Sequence, residues 1–478
     1  MENKSSLANS FKWSALSEIA VKVITPVLNA VLARILLPAD YAPLTTIMML
    51  ISFCEVFVES GFRKYLIQHK FEDETEENQS FHVAFWTTLT ISVLIWILIL
   101  FFCKPISTFL GNSEIWCAVA ISGLILPLYA MTGVFDASIH KRLAFKKVFI
   151  IRVITALIPL IITIPLAMIG LKYWSLVIGN IASVFAQMVI SKHQSGYRIK
   201  FFYSVKLLRR MFSDTVWTLM DGIAVWLTAW VDSLIITQYM TEYYLGLYKN
   251  SLNTVNSLYA MITASVFPVL FVGLTKCQND KKKFVSLFVS TQQMLAMLLI
   301  PLGVGVFLYR DLAVDILFGE QWREAADVVG ITAFTLAVRA VYVSIFSDAY
   351  RAKGAYRIPF VLQVVDVCFL IPICVVSAKN GFWCLVYARS FARLALIVPE
   401  LFVMKKYLQI DVKTLLQNQW PIWISTAVMA VMCLILQTVN KTVMWDIISI
   451  VLACLVYASM LLLIPSTRQN VKKMFRKR

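Results

Sequence analysis

The chain reads as an all-α polytopic membrane protein with about fourteen transmembrane helices. They form two six-helix parallel repeats around a central cavity, with two extra C-terminal helices. Three observations predict this. Of the 478 residues, 59% are hydrophobic and 15% charged, where a soluble domain carries about 25% charged residues. The apolar excess breaks into runs of roughly 20 residues, the length that crosses about 30 Å of hydrocarbon as a helix. Short phrases also recur about two hundred residues apart.

Six spans are expected near 11–36, 41–62, 81–103, 115–139, 148–169 and 173–191, and six near 213–238, 244–272, 284–309, 325–350, 358–378 and 382–404. Two more follow near 420–440 and 444–465. In lipid the backbone must satisfy its own polar groups, so each span is a helix. The alternation of a transmembrane β-barrel is absent. The first span carries Glu18 and Lys22 and has no small-residue cleavage site. It is expected to stay as a signal-anchor helix and not to be removed.

The net charge of +17 is topological and gives no sign of nucleic-acid binding. Basic residues crowd alternate loops, as in RLAFKK (142–147), the segment 192–210, Lys281 to Lys283, RAKGAYR (351–357) and the tail after Thr467. The opposite loops hold little more than Lys104, Lys172, Arg310, Arg323, Lys379 and Lys441. By the positive-inside rule both termini face the cytoplasm, in the cytoplasmic (inner) membrane. Nine cysteines include no C-x-x-C, and His69, His82, His140 and His193 lack ligand spacing, so no metal site is expected.

The repeat rests on three landmarks. GLKYWSLV (170–177) and GFWCLV (381–386) place Trp174 and Trp383 209 residues apart. RLAFKK and RAKGAYR place Phe145 and Tyr356 211 apart, and LPADYAPL (37–44) and TEYYLGLY (241–248) place Tyr41 and Tyr244 203 apart. Recurrence in order at a near-constant offset marks an internal duplication. It gives an N-terminal lobe at 11–191, a basic linker at 192–212, a C-terminal lobe at 213–404 and accessory helices at 420–465. Six is even, so the halves share one in-out sense, and the pseudo-axis runs along the membrane normal. The Trp of the repeated phrase serves as an interfacial anchor, and the Gly before it permits a tight turn. The basic stretch RIKFFYSVKLLRRMF (198–212) is amphipathic and lies along the membrane surface.

Ionisable groups at membrane depth cost about 2.5–3.5 kcal/mol each and persist where they face a cavity or a partner. Asp214, Asp221 and Asp232 lie 7 and 11 residues apart, on one helical line. Ser14, Glu18, Lys22, Thr25 and Asn29 stripe the first span beside Pro26; Ser52, Glu55, Glu59 and Arg63 stripe the second. Lys249, Asn253 and Asn256 stripe the eighth. Polar faces thus gather on the first two helices of each half. Arg339, Asp348, Asp366, Arg389, Arg393 and Glu400 are scattered through spans ten to twelve, and Asp366 is expected to pair with Arg389 or Arg393. The last two spans look like plain lipid-facing helices.

Six segments carry a family resemblance: LARILLPADYAPLTTI (32–47), HKRLAFKK (140–147), YYLGLYKN (243–250), VFPVL (266–270), LFGEQW (317–322) and RAKGAYR (351–357). In this order and spacing they resemble the polysaccharide-transporter branch of the multidrug/oligosaccharidyl-lipid/polysaccharide flippase superfamily. One position departs: the family usually has Gly after the acidic-aromatic pair, and here Ala42 follows Asp40-Tyr41 while the second half keeps Gly246.

The resemblance implies a flippase, not an enzyme. Such a protein moves isoprenoid-diphosphate-linked oligosaccharide repeat units across the cytoplasmic membrane by alternating access, for O-antigen, capsule, exopolysaccharide or teichuronic-type polymers. It works in membrane lipid beside a polysaccharide polymerase and export machinery, and it needs no cofactor beyond a coupling ion, H+ or Na+. The expected substrate cavity comprises Lys22, Asn29, Lys249, Asn253, Asn256 and Arg339, the cations attracting the diphosphate. Glu18, Glu55, Glu59, Asp214, Asp221 and Asp232 are the expected coupling acids. The alternatives are a cation-coupled multidrug exporter and a peptidoglycan lipid-precursor flippase. A polymerase or glycosyltransferase is disfavoured, because the longest outer loop, about 310–324, is too short for a catalytic domain.

Overall fold

The computed structural model describes residues 2–59, 62–69, 71–213, 215–355, 357–440 and 442–464. Asp214 lies outside the described residues, as do the side chains of Glu18 and Glu59. The described residues form helices and no strands. In chain order these are α1 (Glu2–Ile35), α2 (Pro38–Glu59), α3 (Phe62–Gln68), α4 (Glu74–Phe109), α5 (Trp116–Ser122), α6 (Ile125–Lys141), α7 (Phe145–Met168), α8 (Tyr173–Ser195), α9 (Val205–Ser213) and α10 (Thr215–Tyr239). They continue as α11 (Glu242–Lys276), α12 (Lys281–Leu308), α13 (Arg310–Leu317), α14 (Ala325–Arg339), α15 (Ile345–Ala352), α16 (Arg357–Ala378), α17 (Phe382–Ala395), α18 (Ile397–Tyr407), α19 (Val412–Val439) and α20 (Val443–Leu463).

Among the described residues, twelve segments are long and apolar enough to cross a membrane, or thirteen if the two parts of α11, bent by 43°, count as one span. The first expected span is α1. That helix is not among the twelve or thirteen; the other expected spans fall on one helix or on two consecutive ones.

The chain divides into two compact units, Met1–Lys249 and Asn250–Arg478, and the division falls inside α11. In the first unit, α7 packs against both α1 and α8, and α6 against α4 and α8. Ile47, Ile51, Val119, Leu126 and Val177 centre its largest described core. A second core, around Phe62, Leu66, Phe81 and Phe135, is closed by Met211, Leu207 and Leu208 of the basic linker. The linker is strapped to α4: Trp86 Nε1 donates to the Lys200 carbonyl at 3.1 Å, and Tyr197 Oη donates to the Asn78 side chain at 3.0 Å. Arg210 pairs with Glu76 at 2.8 Å. Phe201 and Val205 stay exposed, the apolar edge of an amphipathic segment.

Two breaks inside expected spans have local causes. Trp96 Nε1 donates to the Ala120 carbonyl at 3.0 Å, beside the α5–α6 break. The α17–α18 break at Leu396 lies three residues before Pro399, whose missing N–H and ring interrupt the helical ladder.

The repeated phrases take the same local geometry. Gly170 and Gly381 sit at φ +90° and +103° in the turns that lead into the helices carrying Trp174 and Trp383, three residues and one residue before them. Leu143 and Gly354, also 211 residues apart, sit at φ +54° and +76° in the turns before α7 and α16. A third pair, not seen in the sequence, is Gly111 and Gly319, at φ +86° and +88°. Each precedes a short 3-10 turn, Ser113–Ile115 and Glu320–Trp322.

In the second unit, α12 packs against α14 and α19, α16 against α17, and α19 against α20. Asp280 caps α12, accepting from the Lys283 amide at 3.1 Å; that hydrogen bond holds its carboxyl below the ordinary carboxylate range. The segment expected as the longest outer loop is mostly α13 followed by the 3-10 turn, in which Phe318 and Trp322 are fully buried and in ring contact. The two last helices are more than lipid-facing. Tyr309 and Ser449 share a hydrogen bond of 2.7 Å, Tyr457 Oη donates to the Met297 carbonyl at 2.8 Å, and Gln437 Nε2 donates to the Leu308 carbonyl at 3.0 Å. Interhelical hydrogen bonds of this kind contribute on average about 0.6 kcal/mol each in a membrane. Between α12, α13, α19 and α20 runs an apolar groove of about 450 Å³.

A seam in the first unit joins helices that the sequence repeat assigns to different halves. The Trp226 indole on α10 donates to the Met49 carbonyl at 3.2 Å and to Ser52 Oγ at 3.1 Å, and packs its ring on Phe53. At the far end, Asn112 donates to Glu242 and Gln238 to the Phe109 carbonyl. There Asp40 accepts from the Leu37 amide at 3.0 Å and closes the start of α2, as a capping-box acid does. The family's missing glycine is explained at this point. A Cβ on Gly246 would strike the Pro38 carbonyl oxygen and come within 3.4 Å of the Ala42 amide. The second-half position lies against backbone and so keeps its glycine, while Ala42 carries its methyl group buried at 1% exposure.

Gly246→Ala is accordingly expected to cost about 1–3 kcal/mol through overpacking. Ala42→Gly, which only loosens a helix, is expected to cost about 0.5–1 kcal/mol. Thermal unfolding of both variants in detergent checks the order; equal losses, or a larger loss for Ala42→Gly, refute the asymmetry.

Candidate functional site

Of the polar residues that the sequence places on the first two helices of each half, Asp232 and Lys249 come together in the first unit, at the α10–α11 corner. α11 enters beside the end of α10, and its early residues face back along that helix. Asp232 on α10 is 2% exposed. Its Oδ1 accepts from the Ser233 amide at 2.8 Å, and its Oδ2 accepts from Tyr248 Oη at 2.8 Å. Lys249 is 8% exposed; its ammonium donates to the Ala229 carbonyl at 2.9 Å and lies 3.6 Å from the centroid of the Trp230 ring. A desolvated ammonium over an indole face gains on the order of 2 kcal/mol. The corner thus holds an acid of α10, Asp232, and a cation of α11, Lys249, both satisfied by protein groups.

The three-acid line is uneven. Asp221, three turns before Asp232, is exposed, while Asp232 is enclosed with Tyr248. Asp214 lies outside the described residues. Glu55 is half-buried on α2, the helix that packs against α10. Lys22 and Asn29 are half-buried on α1. Asn253 and Asn256 are exposed on α11, within the second unit. The side chains of Glu18 and Glu59 lie outside the described residues.

Arg339 stands apart in the second unit. Its guanidinium pairs with Asp366 at 3.2 Å, across a cavity of about 300 Å³ between α14, α15, α16, α17 and α18. The sequence pointed to Arg389 or Arg393 as the partner of Asp366; the ion pair seen here goes to Arg339. Directly after Arg339 the helix widens into a π turn, Ala340–Ser344. Its groups are held by neighbours: Gln292 Nε2 on α12 donates to the Val341 carbonyl at 3.0 Å, and Tyr342 bonds to Gln419 and receives the Trp423 N–H at 3.1 Å. π turns are rare and frequently mark functional sites.

Three participants were missed in the sequence. Tyr248 and Trp230 carry no charge to flag them. They lie one residue from Lys249 and two from Asp232, so a search for aromatic neighbours of intramembrane charges would have found them. The π turn has no sequence signal apart from an arginine at its start.

The comparisons fit this architecture. A succinoglycan biosynthesis transport protein, ExoT of Rhizobium meliloti (strain 1021), is 23% identical over 338 residues, covering 70% of this chain and 67% of ExoT. The lipopolysaccharide biosynthesis protein WzxC of Escherichia coli (strain K12) is 20% identical over 374 residues, covering 77% of this chain and 74% of WzxC. Among solved structures, the lipid II flippase MurJ in an inward closed conformation superposes with a TM-score of 0.78 at 16% identity, over 94% of this chain and 98% of MurJ; this likeness is one of fold. Residues 31–327, well over half of the chain, match the model of one family. The chain is a multi-pass membrane protein and belongs to the polysaccharide biosynthesis protein family.

Proposed function

We propose that this protein is a flippase that carries isoprenoid-diphosphate-linked oligosaccharide repeat units across the cytoplasmic membrane for surface polysaccharide synthesis, by alternating access and without covalent chemistry. The observation that carries this reading is the family match over residues 31–327. The names of ExoT and WzxC, which place those proteins in succinoglycan transport and lipopolysaccharide biosynthesis, support it. The seam between α2 and α10 gives the reading a physical form. α10 meets α2 through the Trp226 indole, and Gly246 at the start of α11 lies against the Pro38 carbonyl. Parting of this seam is the movement that alternating access would require.

In this reading the isoprenoid tail stays in lipid and the diphosphate and sugars cross in a wet path. Lys249 is the cation nearest the polar corner. It is held by a carbonyl and an indole face, contacts that a diphosphate, as a stronger charge-assisted acceptor, can displace. Asp221, exposed on α10 where Asp232 is buried, is the described acid of the expected line that is open to an aqueous ion. Both termini face the cytoplasm, and a polymerase and an export system receive the flipped unit.

Deletion of the gene in a producing cell is expected to trap lipid-linked repeat units in the inner leaflet and to remove surface polymer. Lys249→Ala or Asp221→Asn is expected to lower polymer output by roughly tenfold at normal protein levels, the effect of about 1.4 kcal/mol lost from a transport step. Extracted lipids and surface polymer are the readout. Unchanged polymer with no lipid-linked intermediate sinks the flippase reading and moves the multidrug alternative forward. Cysteine tags at both ends are expected to label only after the cytoplasmic face is opened.

A further inference from the structure

The cavity beside the π turn contains chemistry that glycan carriage does not use. Two carboxylates from different helices, Asp366 on α16 and Glu400 on α18, line it and are 5% and 6% exposed. One oxygen of each, Asp366 Oδ1 and Glu400 Oε2, has no hydrogen-bond partner among the described residues. A buried, ionised carboxylate oxygen without a partner is costly, and a cavity that holds two invites an occupant.

The lining selects among occupants. α14 contributes Arg339, already paired with Asp366. α15 adds Asp348 and Arg351, and α17 adds Arg393, with Arg389 buried one turn earlier on the same helix. The Tyr350 hydroxyl donates to the Glu400 carbonyl at 3.4 Å. Three guanidinium groups and three carboxylates therefore line the cavity, and their formal charges cancel. An anion finds no net attraction there. A metal cation meets a guanidinium bonded to one of its would-be ligands, and no group of three or more His, Cys, Asp or Glu among the described residues is disposed to hold a metal ion. A proton has neither difficulty. It needs one lone pair and can be shared between two carboxylates in a single polar cavity.

We propose that Asp366 and Glu400, facing one cavity with Arg339, form a proton-binding site in the second unit, in which taking up one proton from water competes with the Arg339–Asp366 ion pair. The step is a simple protonation: a carboxylate oxygen lone pair binds the proton, and Arg339 loses part of its counter-charge. The π turn begins at the next residue, Ala340, and Val343 and Ser344 from that turn line the same cavity. Loosening the ion pair therefore acts where the helix is least regular. As a coupling device the site rests on the carrier reading above; as a proton site it does not.

The test uses wild-type protein in proteoliposomes, with no glycan present. A pH step at constant sodium is expected to produce a transient charge movement on a solid-supported membrane. The infrared difference spectrum across that step is expected to show the carbonyl stretch of a protonated carboxylic acid. Glu400→Gln should lose that stretch and most of the charge movement, and Glu400→Asp should keep the stretch at a shifted frequency. If Glu400→Gln does not fold, the frequency shift in Glu400→Asp decides. The proposal is overturned by a wild-type spectrum without the stretch, by a Glu400→Gln spectrum that retains it, by an unshifted stretch in Glu400→Asp, or by charge movement that follows a sodium step at constant pH. None of these results depends on a lipid-linked glycan, so failure here leaves the flippase reading standing, and failure of that reading in cells leaves this site standing.

Discussion

A polar side chain at membrane depth has no water to turn to, so it finds a partner in the protein or an occupant for its cavity. Much of the described architecture follows from this constraint. Asp232 is closed off by Tyr248 and its neighbouring amide, and Lys249 by a carbonyl and an indole. The π turn survives because Gln292 on α12 takes one of its carbonyls and Gln419 and Trp423 hold its tyrosine. The accessory helices stay on the bundle through Tyr309, Tyr457 and Gln437, where packing alone would offer little preference over lipid. The cavity lined by Asp366 and Glu400 is one place where this closure is left incomplete.

Helix positions were legible in the sequence because lipid imposes a length and an apolar composition that few other structures share. The Gly-Trp phrase was legible for a different reason: a turn residue at φ near +90° or beyond, as at Gly170 and Gly381, strongly favours glycine. The same turn geometry is filled by Leu143 in one half and Gly354 in the other, so there the repeat showed only through its basic neighbours. The pair at Gly111 and Gly319 went unseen because LGNSEIW and LFGEQW differ in spacing by two residues before the tryptophan.

The site was less legible than the fold. Helical phase put Asp221 and Asp232 on one line, and they do lie on one face of α10, but phase says nothing of depth or of what packs opposite. One acid is exposed and the other enclosed because α11 covers only the later part of that face. The partner of Asp366 was misjudged for a similar reason. Arg393 and Arg339 are equally far from Asp366 in sequence, and Arg339 reaches it through the packing of helices that a one-dimensional reading does not contain. The last two helices looked inert because their hydrogen bonds use tyrosine, serine and glutamine, residues that a search for charges passes over.

The unit boundary at Lys249 bears on how the chain is made. Six spans with their linker leave the α2 face that receives Trp226 and the carbonyl that receives Gly246 bare. The first unit is complete only when α10 and the opening turns of α11 have emerged from the ribosome. A fragment ending at the linker should thus be a poor folding intermediate, while one ending just past Asn250 contains Trp226, Gly246 and Lys249 with the first-unit groups they meet. A gene split for co-expression should be cut after that point, inside what the sequence presents as one uninterrupted helix.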